Sequence, residues 1–158
     1  MLQRMVDAMR RVRAVVVMVL MAILVVVVVT SVFFRYVLLA PLSWTEEFTR
    51  YLMIWLGFLA ASIAVRDRAH VGVDFLVHWS PPRLAIWLRR AARVFSGAFF
   101  LIVTVYGFLY VFNLWDQESA VLQIRMVWPY LAIPVGGLLM FIELVMPSRR
   151  EAEIAGTY

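Results

Sequence analysis

The residues of this chain that could do chemistry are few, and most stand at the edges of apolar runs. His70, Asp74 and His78 fall at i, i+4 and i+8, so a helix through them would line one face with two imidazoles and a carboxylate. Those are metal-ligand types, yet the segment offers neither a further ligand nor groups to orient the rings, so a solvated or interface-facing polar stripe is the expectation. Ser31, Ser62, Ser96 and Thr104 place hydroxyls inside apolar runs, but no histidine or carboxylate stands at the same depth to take a proton, which argues against acyl transfer and proteolysis. Haem would want histidines within facing spans, and both histidines lie in one connecting loop. With no cysteine there are no disulfides, thiolate catalysis or iron–sulfur ligation. Glu143 is the one acid inside an apolar run. It sits about a turn from the end, where pairing with Arg149 or Arg150, or reaching out to the interface, is favoured over a proton relay. The expectation is a chain without catalytic residues, metal or cofactor.

The remaining charge is concentrated between Ser43 and Asp74. Ser43 and Glu46 have capping-box spacing, which predicts a helix starting at Trp44, and Pro41 helps end the segment before it. Glu46 and Glu47 put negative charge where the helix dipole is positive, and Glu46 lies four residues before Arg50, the favourable order for a helical ion pair. Trp44, Phe48, Tyr51, Leu52 and Trp55 recur along one face. From Tyr51 to Val65 no charge appears, so this amphipathic start must run on, or bend, into a membrane span. Gly57/Ala61 and Ala60/Ala64 are small-xxx-small pairs that admit a close neighbour, which spacing alone leaves open as another helix of this chain or another subunit.

These positions must be held by helices in a bilayer. Of the 158 residues, 65% are hydrophobic and mean hydropathy is +0.89, which leaves too little polar surface for a soluble domain. The expectation is an all-α integral membrane protein, a single membrane domain with spans at about 14–34, 48–65, 94–112 and 126–146 and additional interfacial helical segments. The first run, from Ala14 to Phe34, is longer than a secretory h-region and is read as a retained, lipid-facing span. Ser80, ahead of Leu84, Trp87 and Leu88, would cap a second interfacial stretch leading into the third span, where Gly97 and Gly107 hint at close contacts. In the fourth, Ala132 and Gly136 form a small pair, and Pro134 should kink the helix by freeing the carbonyl of Tyr130.

The formal charge of +5 comes with arginine as the only strong base. Arg4, Arg10, Arg11 and Arg13, the loop arginines from Arg66 to Arg93, and Arg149 and Arg150 would share one side of the membrane, against Arg35 and Arg125 on the other. This asymmetry predicts cytoplasmic termini and explains the basic residues without nucleic acid.

The stretch W-T-E-E-F-x-R-Y-x-x-x-W-x-x-x-x-A-A from Trp44, R-x-R-x-H-x-x-V-D from Arg66, and the run Tyr130 to Gly136 together resemble the small, DctQ-type membrane subunit of tripartite ATP-independent periplasmic (TRAP) transporters. The resemblance implies a non-catalytic scaffold in the bacterial inner membrane. It would pair with a large membrane subunit that carries sodium-coupled uptake of an organic acid, and with a periplasmic substrate-binding protein. Where the family often has Ile-Pro before the last span, Ile124 is followed by Arg125, and a proline comes only at Pro129. The residues expected at a partner interface are Trp44, Glu46, Glu47, Arg50, Trp55, Gly57, Ala61, His70, Asp74, Pro134 and Gly136. The competing reading is a self-sufficient, homo-oligomeric four-helix exporter, which would normally carry an ionisable carboxylate deep in a helix; spans one to three have none.

Overall fold

The computed structural model describes residues 2–66 and 81–146. His70, Asp74, His78, Ser80, Arg149 and Arg150, for which the sequence raises expectations, lie outside them. The elements are α1 (Leu2–Tyr36), α2 (Ser43–Arg66), α3 (Pro82–Asn113), a single turn α4 (Val127–Tyr130) and α5 (Ala132–Val145). Among the described residues, four stretches are long and apolar enough to cross a bilayer: Ala8–Tyr36, Ser43–Val65, Leu84–Asn113 and, through α4 and α5, Val127–Val145. Among the described residues there is no strand, only an isolated antiparallel bridge between Glu118 and Arg125.

The expected four spans are present, but with the expected interfacial feet built into them. α2 runs unbroken from Ser43 through its amphipathic turns into the apolar ones, and α3 does the same over 32 residues. The reason is local: no proline interrupts either helix between its first turn and its end, so the backbone ladder continues where the surrounding medium changes. α3 starts at Pro82, which needs no donor at that position, after an extended Pro81 without a side-chain cap. α2 starts at Ser43, one residue earlier than expected, and Glu46 turns to Arg35 of α1 instead of closing a capping box.

α5 is the centre of the bundle, packed against both α2 and α3, while α1 packs along α2 and reaches α5 through Arg10 and Arg13. Ala132, Pro134, Gly136, Gly137 and Met140 are all buried. Small residues set the helix separations. A Cβ on Gly136 would fall 2.5 Å from the Cβ of Phe58 in α2, and one on Gly107 of α3 would fall 3.1 Å from the ring of Pro134. The helical run breaks at Leu131, between α4 and α5, where Pro134 withholds the N–H that Tyr130 would otherwise receive. Ladder bonds continue on either side, from the Leu131 N–H to the Val127 carbonyl (2.9 Å) and from the Val135 N–H to the Leu131 carbonyl (3.2 Å).

The approach to α4 is a tight loop rather than an extended segment. The Ser119 N–H donates to the Ile124 carbonyl and the Met126 N–H to the Gln117 carbonyl, both at 2.9 Å, and Gln123 takes a left-handed φ of 51° to turn the chain. Arg125 lies 5.5 Å from the Trp115 ring centre, within cation–π range. Val111, Leu114 and Val127 close the base of the loop as a small buried apolar cluster.

Candidate functional site

The start of α2 is a junction between three parts of the chain. Thr45, almost wholly buried, donates to the Leu42 carbonyl (2.7 Å) and shares a 2.9 Å hydrogen bond with Ser31 of α1. Arg35, at the end of α1, pairs with Glu46 in an exposed contact. This corrects the expectation for the charged group: Glu46 pairs across helices, and among the described residues Arg50, exposed on α2, has no ion-pair partner.

Glu47 does something different from its neighbour. One carboxylate oxygen accepts the backbone N–H groups of Val121 and Leu122, each at 3.0 Å, and the other accepts the Tyr51 hydroxyl. The Tyr51 hydroxyl also lies 3.8 Å from Met126 Sδ, and one turn on the Trp55 indole donates to the Trp128 carbonyl at 3.2 Å. The aromatic face foreseen on α2 therefore pins the 117–128 segment to the bundle. Trp44 stays exposed and packs edge-on against Phe48. Sequence reasoning identified the α2 residues but not their partners, because the partners are mostly main-chain groups about 75 residues away, which residue type does not reveal.

At the opposite end of the bundle, Glu143 is buried and held by two arginines of α1. Arg10 reaches it at 2.8 Å and Arg13 at 2.5 Å. The sequence treats these arginines only as topology signals, yet they hold Glu143; Arg149 and Arg150, expected to pair with it, lie outside the described residues. The common end of α1 and α5 was available as a clue, since both runs are bounded there by arginine.

The small residues divide into two sets. Pro134 and Gly136, expected at a partner interface, have their close approaches filled by Gly107 and Phe58 of this same chain. Gly57 is exposed, and a Cβ there would meet nothing within 4 Å. Arg50, Met53, Gly57 and Ala64 are exposed in steps that follow one face of α2, with Ala61 half-buried beside them. The buried Ser62 hydroxyl bonds the Leu59 carbonyl (2.6 Å) and Thr104 the Phe100 carbonyl (2.7 Å), so both satisfy the backbone of their own helices.

A family model described as the DctQ component of tripartite ATP-independent periplasmic transporters matches residues 24–151. Among curated relatives, the sialic acid TRAP transporter permease protein SiaT of Haemophilus influenzae is 31% identical over 119 residues, 70% of this chain and 18% of the relative. The C4-dicarboxylate TRAP transporter small permease protein DctQ of Rhodobacter capsulatus is 30% identical over 122 residues, 72% of this chain and 52% of the relative. The sialic acid TRAP transporter small permease protein SiaQ of Vibrio cholerae is 28% identical over 110 residues, 67% and 61% respectively. The chain therefore matches less than two thirds of the length of each of these relatives.

Proposed function

The chain belongs to the DctQ component family of tripartite ATP-independent periplasmic transporters, and on that premise we propose that it is the small, non-catalytic subunit of such a transporter. It is a multi-pass protein of the bacterial inner membrane. Its role is to hold a larger membrane subunit in position in the bilayer, while that subunit carries sodium-coupled uptake of an organic acid delivered by a periplasmic binding protein. Both termini face the cytoplasm, in keeping with the arginine asymmetry.

The observation that carries this reading is the size of the match: in SiaT of Haemophilus influenzae, named as a permease protein, the segment similar to this chain is 18% of the whole. More than four fifths of that permease protein lies outside the similar segment, and the partner of this chain would correspond to that remainder. The exposed α2 stripe of Arg50, Met53, Gly57 and Ala64, with Ala61, Trp44 and the neighbouring Glu46, is the proposed contact surface. Small residues there would let a partner helix approach closely.

Two measurements test the proposal. Affinity purification from the native membrane should recover a large multispanning partner; a homo-oligomer alone would favour a self-sufficient exporter. In liposomes, the chain by itself should move no substrate, and uptake should appear only with the partner and a binding protein. Sodium-dependent uptake by the chain alone would overturn the assignment.

A further inference from the structure

The ion cluster of Arg10, Arg13 and Glu143 is not balanced. Among the described residues, two guanidiniums face one carboxylate, which leaves a net positive charge where the side chains are only 12%, 8% and 5% exposed. Both oxygens of Glu143 are already engaged: Arg10 Nε and its terminal nitrogen contact them at 2.8–3.3 Å, and Arg13 reaches one at 2.5 Å. Among the described residues, Arg13 Nε is left buried with no acceptor. A buried guanidinium N–H without a partner is costly, so the site is chemically short of one anionic acceptor.

Directly beside it lies a groove of about 410 Å³ between α1, α2 and α5. Its walls include Val12, Val16, Leu59, Leu139 and Ile142, and Arg10, Arg13 and Glu143 also line it. Met9 and Val12, which line it as well, are more than half exposed, so the groove is open to the surroundings of the chain. The cluster sits in the first turns of the α1 span and the last turn of the fourth, which is the depth at which a bilayer changes from hydrocarbon to headgroup.

We propose that this groove is a binding site for an anionic membrane phospholipid, with an acyl chain along Val16, Leu59 and Leu139 and the phosphate accepting from Arg13 and Arg10. Charge complementarity selects this occupant. The phosphate brings the missing acceptor and offsets the surplus charge, and an apolar tail fits walls that a free ion would leave unfilled. The proposal rests on the membrane-spanning reading of the chain and not on its place in a transporter, so it stands or falls separately from the proposed function.

The test uses the full chain, alone and in whatever complex it forms, extracted from bilayers of equimolar phosphatidylglycerol and phosphatidylcholine, with retained lipid quantified by mass spectrometry. The expected enrichment of phosphatidylglycerol is about five- to thirtyfold, as one or two arginines near an anionic lipid give at about 1 kcal/mol each. Arg13→Gln should bring the ratio to near parity. Val16→Trp, which fills the groove and leaves every charge in place, should do the same. Glu143→Gln should raise the ratio, because it releases both arginines to the phosphate, an increase that loss of structure would not produce. Equal retention of the two lipids by the parent, or enrichment unchanged in both Arg13→Gln and Val16→Trp, would overturn the proposal. So would stabilisation by inorganic phosphate in pure phosphatidylcholine equal to that by phosphatidylglycerol, which would mean a free-anion site. Retention by the isolated chain but not by the complex would assign the groove to a protein partner instead.

Discussion

Gly136 of α5 lies against Phe58 of α2 so closely that a methyl group on the glycine would come within 2.5 Å of the phenylalanine's Cβ. The neighbour at that distance is a Cβ fixed to a helix backbone, so it cannot rotate away, and the two helices would have to separate. Overpacking of this kind costs about 1–3 kcal/mol. Gly136→Ala should therefore lower the stability of the purified chain by that order, read as a lower thermal midpoint, and Gly57→Ala, where the same methyl meets open space, should leave it nearly unchanged. Equal effects of the two substitutions would show that this close approach does not set the α2–α5 separation.

The buried cluster at the other end of α5 supports a second prediction. Removing Glu143 leaves Arg10 and Arg13 facing each other in an apolar setting without the carboxylate that joins them. Breaking a buried pair by deleting one partner costs about 3–5 kcal/mol. Glu143→Ala should show a loss of that order in chemical denaturation, and adding Arg10→Met and Arg13→Met to it should recover much of the loss. Failure of the triple variant to recover would place the cost in lost packing at Glu143 rather than in stranded charge.

Glu46 and Glu47 are adjacent in sequence and unequal in role. Glu46 meets Arg35 in an exposed pair whose side chains are 64% and 46% accessible, a type of contact that contributes little. Glu47 receives two backbone N–H groups of the 117–126 loop as well as the Tyr51 hydroxyl. Amide hydrogen exchange at Val121 and Leu122 should accelerate in Glu47→Ala and stay near the parent's rate in Glu46→Ala. Equal protection in the two variants would mean the loop is held by its own internal bonds.

The four apolar helices were legible in the sequence because hydrocarbon demands about twenty apolar residues in a row, and no other element of this length satisfies its own backbone there. Pro134 and the Ala132/Gly136 pair were legible for the same local reason, a missing donor and missing side chains. What escaped was pairing. Glu46 and Arg50 had the spacing of an i, i+4 pair, but Arg35 reaches Glu46 from the preceding helix, across a turn whose path depends on Leu39 at φ 52°. Glu143 found Arg10 and Arg13 more than 120 residues away, a choice set by how α1 leans on the bundle. Gly57 and Gly136 could not be told apart by type; only the packed arrangement shows one facing outward and the other filled by Phe58.

That difference supports the last prediction, on the proposed partner surface. Gly57 is open in the isolated chain, and Ala61, Ala64 and Met53 continue the same side of α2. If a helix of the large subunit packs there, a leucine at Gly57 or Ala61 forces apart two backbones that small residues had let approach. Within the chain, Gly57 is exposed and a Cβ there meets nothing within 4 Å, so the folding and membrane insertion of Gly57→Leu should match the parent while recovery of the large subunit falls by about tenfold, the effect of ~1.4 kcal/mol at an interface. Arg50→Ala, one helical face position further out and without an ion-pair partner among the described residues, tests whether charge contributes to the same contact. The three variants should be compared at matched expression, with Gly136→Leu as the contrasting case that lowers the chain's own stability. Undiminished recovery of the large subunit with both Gly57→Leu and Ala61→Leu would assign this side of α2 to lipid and move the docking surface elsewhere on the bundle.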